Sequence, residues 1–269
     1  MPFAQSGEAA IHWEEQGAGD PLLLIMGLGG SAQAWYRLLP HLGNLGQRVI
    51  TFDNRGTGSS ARVKPPLSLR NMVQDALAVL AAADVEQADV FGVSMGGMIA
   101  QHLALDHRAR VRSLLLGCTT ATARAGLPPW RLFAASGLRP ISPDQALTLI
   151  TPALYSRATR EQHPERIRED FRVRRDEATS AHTVLAQMLA IAGHDVRARL
   201  HELDGLPVTV IHGSEDALVA PQRGRELAAG IPGARFQLIA GAGHLLLTDA
   251  EAEAVAAIRG HLDAVIQTA

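Results

Sequence analysis

Ser94 lies in Gly92-Val93-Ser94-Met95-Gly96-Gly97, after the apolar run ADVFGV and ahead of the apolar MIAQHLAL. A serine at a sharp strand-to-helix turn, with glycine two residues to either side, is where a nucleophilic hydroxyl is expected. Gly92 and Gly96 leave the room such a turn needs, and the helix starting near Gly96 places its positive end at the reacting atom. Serine is a weak nucleophile until a base takes its proton, so a histidine and an orienting acid are required. His244, in LIAGAGHLLL beyond a late apolar run, occupies a glycine-bearing loop able to reach back to Ser94. Asp216, at the exit of PVTVIHGSED, can accept an imidazole N–H, fix the tautomer and stabilise the imidazolium. Glu215 is adjacent and chemically competent. The turn is expected to aim Asp216 inward and Glu215 towards solvent, with His212 supporting the backbone of the acid loop.

An oxyanion formed at Ser94 needs main-chain donors. Met95 supplies one N–H, and the glycine-rich Met26-Gly27-Leu28-Gly29-Gly30 supplies a second at Leu28. The segment Asp53-Asn54-Arg55-Gly56-Thr57-Gly58-Ser59-Ser60 reads as a brace for the loops beside the site. No GxxxxGK[ST] or strand-linked GxGxxG pattern calls for a nucleotide. Neither HExxH nor another metal-ligand spacing is present, so no metal and no cofactor are expected.

These loops need strands to hold them. Leu22 to Met26, RVITFD, ADVFGV, VRSLLLGC, PVTVIHG and ARFQLIAG are short apolar runs separated by helical patterns such as LRNMVQDALAVLAAADV. Such alternation predicts parallel strands with crossover helices covering both faces of a sheet. The stretch from Ala10 to Glu15 with the turn-forming GAGD predicts an opening hairpin. From Thr119 to about Leu206 no strand run occurs, and prolines separate helical segments such as TSAHTVLAQMLAIAGHDVRARL. The predicted organisation is therefore a core in two parts, 1–119 and 206–269, with a helical lid inserted at 120–205.

With 269 residues, 47% hydrophobic and 19% charged, the chain can bury one large core. A formal net charge of −2 offers no field to select a polyanion, which argues against nucleic acid as a partner. The single cysteine, Cys118, cannot form an internal disulfide, and no basic segment precedes a long apolar run at the N-terminus. A cytoplasmic enzyme without a membrane partner is expected.

Taken together, GLGG, DNRGTGSS, GVSMGG, GSED and GAGH make the chain resemble the α/β-hydrolase superfamily over nearly its whole length. The segment order is similar to the small esterases, enol-lactonases and cofactor-free perhydrolases. The resemblance implies a mostly parallel eight-stranded sheet, Ser94 as nucleophile, Asp216 as acid, His244 as base, and oxyanion donors at Leu28 and Met95. Many relatives carry histidine where this chain has Met26, which removes a polar side chain but leaves the backbone donor. Relatives with an aspartate nucleophile are disfavoured by Ser94.

The expected reaction is hydrolysis of a carboxylic ester or lactone through an acyl-enzyme. C–C bond cleavage of a β-diketone or vinylogous diketone, and cyclase or lyase chemistry, are alternatives that use the same pocket; a non-catalytic small-molecule receptor is a third. The substrate is expected to be a small molecule with an apolar portion. Trp130, Phe133 and Met188 of the insertion, with Cys118 at a strand end, are the candidate pocket residues.

Overall fold

The apolar runs form one eight-stranded sheet in the computed structural model, which describes residues 2–43, 46–123, 143–175 and 179–267, excluding the side chains of 143–148 and 175. The strands are β1 (Phe3–Ser6), β2 (Ala9–Gln16), β3 (Asp20–Ile25), β4 (Gln47–Phe52), β5 (Ala88–Val93), β6 (Val111–Gly117), β7 (Val208–Gly213) and β8 (Arg235–Ile239). Their order is β1-β2-β4-β3-β5-β6-β7-β8. The β1-β2 and β2-β4 pairs are antiparallel, and the five remaining pairs are parallel.

Helices α1 (Leu39–Leu42), α2 (Leu69–Ala82) and α3 (Met95–Asp106) belong to the first half of the chain. Between β6 and β7 stand α4 (Pro143–Leu154), α5 (Arg157–Gln162), α6 (Pro164–Arg175) and α7 (Ala181–Ala192). The end of the chain carries α8 (Pro221–Gly230), α9 (Leu246–Asp249) and α10 (Glu251–Ile266). Along β3 the side chains alternate between two apolar clusters. Leu23 and Ile25 join Met72, Val79, Ile99, Leu103 and Leu227 from α2, α3 and α8. Leu22 and Leu24 join Leu42, Ile258 and Leu262 from α1 and α10. A strand apolar on both faces is thus a strand covered by helices on both faces.

The expected hairpin at GAGD is not formed. β2 pairs with β1 and β4, and β4 lies between β2 and β3. The GAGD loop instead crosses the start of β4. A Cβ on Gly17 would lie 2.3 Å from the Gln47 carbonyl oxygen, and one on Gly19 2.0 Å from that of Gly46. The glycines serve this crossing, and both have positive φ.

The two chain segments that enter and leave the α4–α7 region pair with each other. Ala123 N–H donates to His194 O at 2.9 Å, Val196 N–H donates to Ala121 O at 2.9 Å, and Thr122 bridges to Asp195. Among the described residues no helix is long and apolar enough to cross a membrane.

Two buried histidines tie these parts together. His194 contacts Thr120 O through Nε2 at 3.0 Å and His102 Nε2 through Nδ1 at 3.2 Å. His261 of α10 contacts Thr209 Oγ1 at 2.9 Å and Ser113 Oγ at 3.0 Å, joining β7 to β6. Burial lowers each of these imidazoles to about 4. Between that value and the unfolded value of about 6.5 the unfolded chain binds more protons, so stability is full above the upper value and falls with pH towards the lower. Denaturant titrations should therefore show a loss of about 2 kcal/mol per histidine from pH 7 to pH 5, with a smaller loss in His261→Asn. Equal stability at both pH values would contradict this.

Candidate active site

Ser94 occupies the joint between β5 and α3 at φ 54° and ψ −120°, a conformation that L-residues rarely adopt. Its surroundings explain how the turn persists. A Cβ on Gly92 would lie 2.3 Å from Gly96 O, and one on Gly96 would lie 2.0 Å from Ile25 O and 2.8 Å from Met26 O. Only glycines allow that approach. The Ser94 backbone is held on both sides: its N–H donates to Gly117 O at 2.8 Å, and its carbonyl accepts from Thr119 Oγ1 at 2.7 Å and Met98 N–H at 3.2 Å.

The loops after β7 and β8 bring Asp216 and His244 together, both buried, with Asp216 Oδ2 2.8 Å from His244 Nδ1. The second carboxylate oxygen of Asp216 accepts the Leu218 and Val219 N–H groups at 2.9 and 2.8 Å. His212 Nε2 lies 2.8 Å from Val219 O and 3.2 Å from Asp216 Oδ2, so it supports both the loop and the acid. Burial acts to raise the Asp216 carboxyl, but the His244 charge and the hydrogen bonds of His212 and His244 outweigh it and hold the group well below the usual carboxylate range. Glu215 is exposed, as expected, and accepts the Arg157 N–H at 2.9 Å.

With Nδ1 committed to Asp216, the Nε2 atom of His244 is the ring nitrogen left for a proton at Ser94. Both residues line one cavity. Among the described residues no hydrogen bond joins the Ser94 hydroxyl to the imidazole, a contact that commonly tightens only when substrate is bound.

Leu28 and Met95, the expected oxyanion donors, flank the same turn. Met95 is the first residue of α3, so its N–H has no carbonyl four residues back to engage. Gly27 packs on the serine, where a Cβ would lie 3.2 Å from Ser94 Cβ. Next in sequence, Leu28 lines the cavity. The loop is tied down at several points. Asn54 Nδ2 donates to Met26 O at 2.9 Å, Gly29 N–H donates to Gln187 Oε1 at 2.9 Å, and Thr179 Oγ1 donates to Gly29 O at 2.9 Å. The neighbouring Asp53 carboxylate accepts the Ala32 and Ser59 N–H groups at 2.8 and 2.9 Å and meets His12 Nδ1 at 2.9 Å, the bracing role expected of this segment.

A family model described as alpha/beta hydrolase fold matches residues 20–251. The chain belongs to the α/β-hydrolase fold family. Among its relatives, a protein of Azorhizobium caulinodans that bears the name carbamate hydrolase RutD is 34% identical over 243 residues, covering 88% of each chain. The structure of a thermophilic esterase from Thermogutta terrifontis superposes with a TM-score of 0.85 at 26% identity over 98% of both chains. The enol-lactonase of Burkholderia xenovorans LB400 shares the fold, with a TM-score of 0.83 at 24% identity over 99% of this chain and 100% of that one.

The cavity of this α/β-hydrolase holds about 1150 Å³ of empty space, part of it the open mouth. Its apolar wall includes Trp35, Phe91, Leu154, Leu218 and Leu246. Cys118 lines it as expected; burial, reinforced by the Asp216 charge, pushes the thiol well up and keeps it protonated. Met188 does not line it. The buried stripe of α7 runs through Thr183, Ala186, Gln187 and Ala190, and Met188 sits half-buried beside that stripe. Trp130 and Phe133 lie outside the described residues.

Cys118, His212 and Asp216 bring possible metal-ligand atoms within 4.8 Å of one another. The histidine and the carboxylate are already engaged with Val219 and His244. Sequence reading missed Gln187, whose signal is a lone amide on an otherwise small and apolar helical stripe. It also missed a polar group in the cavity wall, Tyr36, Arg37, Asp170, Arg174 and Thr248, for which no local pattern exists.

Gln187 holds the Gly29 amide, next to the expected donor Leu28. Replacing it with leucine should lower kcat about tenfold on any ester the enzyme turns over, with little change in KM, because loop placement matters most once charge develops. Steady-state kinetics of Gln187→Leu check this; an unchanged kcat would contradict it.

Proposed function

We propose that this α/β-hydrolase cleaves a carboxylic ester or lactone of a small, partly apolar molecule through a covalent acyl-enzyme at Ser94. The observation that carries the reading is the buried Asp216-His244 hydrogen bond of 2.8 Å in the wall of the cavity that Ser94 enters from a strained turn. As Ser94 Oγ attacks the carbonyl carbon, His244 Nε2 takes its proton. The oxyanion is met by the Leu28 and Met95 N–H groups. The imidazolium then protonates the departing alkoxide or enolate, leaving the acyl group on Ser94. Water attacks that ester with His244 again as base, and the acid product leaves as Ser94 regains its proton. Each step uses groups of the chain and water.

The α4–α7 region acts in this reading as a lid inserted between the two parts of the core, with Ile150, Leu154 and Val173 on its cavity side. The esterase from Thermogutta terrifontis supports ester cleavage. Carbamate cleavage is a second reading, favoured by the relative of Azorhizobium caulinodans and run by the same acyl-transfer steps with an amine-bearing leaving group.

A panel of short and medium acyl esters, lactones, carbamates and β-diketones tests the proposal. Esters or lactones should be turned over fastest, and Ser94→Ala should lower kcat at least about a thousandfold. Full activity of Ser94→Ala, or turnover confined to diketones, would contradict it.

A further inference from the structure

α6 presents Asp170, Val173 and Arg174 to the cavity, a spacing that shares one helical face. Asp170 is 5% exposed and its carboxylate is fully engaged. One oxygen accepts from Tyr36 OH at 2.5 Å and Arg37 Nε at 3.2 Å, and the other from Thr248 Oγ1 at 2.7 Å. Arg37 is also paired with Glu169 at 2.7 Å. The Asp170 carboxylate is therefore met inside the wall by an arginine from another part of the chain.

Arg174 stands four residues beyond Asp170, where a helical ion pair would ordinarily form. It forms no ion pair or hydrogen bond among the described residues, because Asp170 is turned to Arg37, Tyr36 and Thr248. A guanidinium is charged at every pH the fold tolerates. Apart from His244, the charged side chains of the lining are Arg37, Asp170 and Arg174; Arg37 pairs with Asp170 and, outside the lining, with Glu169 and at 3.8 Å with Glu251. Arg174 is the one of the three with no ionic partner among the described residues, half-buried and facing the same space as Ser94 and His244. A partly desolvated cation without a partner is unfavourable until an anion meets it.

We propose that Arg174 receives a carboxylate on the substrate, so that the preferred substrates are esters or lactones bearing a free carboxylate remote from the carbonyl that is cleaved. This rests on the hydrolase reading above. A planar guanidinium matches a carboxylate in two parallel hydrogen bonds. Arg174 offers a single positive charge and the Asp170 carboxylate lies nearby on the same helix face, which fits a monoanionic group better than a phosphate dianion. Apolar side chains around the rest of the cavity suit a hydrocarbon body between the two functional groups.

The test uses the 4-nitrophenyl monoesters of adipate and suberate beside the same esters with the free acid capped as a methyl ester. In the wild-type enzyme kcat/KM should favour the free acids at least about tenfold, and added salt should reduce the preference. Arg174→Gln should bring the ratio to about one, Arg174→Lys should retain part of it, and Arg197→Gln, an exposed arginine paired with Asp195, should leave it intact. Titration of adipate into Ser94→Ala should show Kd weakened at least about tenfold by adding Arg174→Gln. Cleavage of acid and capped esters at equal rates, or a preference that survives Arg174→Gln, would overturn the anion site while leaving the Ser94 chemistry standing. Adipate binding that depends on Arg174, with no cleavage of either ester, would support the anion site and overturn the Ser94 chemistry.

Discussion

The contact of Gly96 with the end of β3 organises the whole site. Its α-carbon faces the Ile25 and Met26 carbonyls so closely that a methyl group could not be accommodated. The N-terminus of α3 is thereby pressed against the loop that begins at Met26. This approach sets the Ser94 hydroxyl and the neighbouring Met95 N–H, at the positive end of a helix, beside the loop of Leu28, which is remote from them in sequence. The strain at Ser94 is borne by the parallel β3-β5 and β5-β6 pairs and by the hydrogen bonds to Gly117 and Thr119. Each is local geometry, and the proposed chemistry depends on all of them at once.

The proposed acid and base depend on a second close approach, between the loops leaving β7 and β8. A Cβ on Gly213 would lie 2.1 Å from Gly243 O, and Glu215 N–H donates to Ala242 O at 2.8 Å. Asp216 and His244 are neighbours because these backbones are zipped together. The zipper extends outward through Asp249, whose carboxylate accepts Gly243 N–H at 2.7 Å and Ser156 N–H at 2.9 Å. Burial works to raise the Asp249 carboxyl, and those donors oppose it only in part. The His244 loop is thus fastened to the start of α5, so the region between β6 and β7 and the sheet edge that carries Asp216 and His244 share one network.

Much of this was legible in the residues because burial on both faces leaves plain apolar runs, and because Ser94, Asp216 and His244 each follow such a run. Gly92 and Gly96 advertised the turn. The GAGD loop misled because its glycines, which resemble hairpin glycines, serve a crossing over β4 instead. Met188 misled for a related reason: an apolar side chain on a helix near a cavity says nothing of which stripe the helix turns inward. The Asp170 group was invisible, since Tyr36, Arg37 and Thr248 are brought to it only by the fold; Arg37 is separated from Asp170 by 133 positions. Long-range polar pairing carries no local signature, which is why this group required coordinates.

The central claim is that Ser94 attacks a carbonyl whose oxygen comes to rest between two main-chain amides. A crystal structure of the protein inhibited with an alkyl phosphonate tests it most directly. The account predicts a covalent bond from Ser94 Oγ to phosphorus, with the phosphonyl oxygen within hydrogen-bond distance of both the Leu28 and Met95 N–H groups. An adduct on another residue, or a phosphonyl oxygen turned away from those amides, would contradict it.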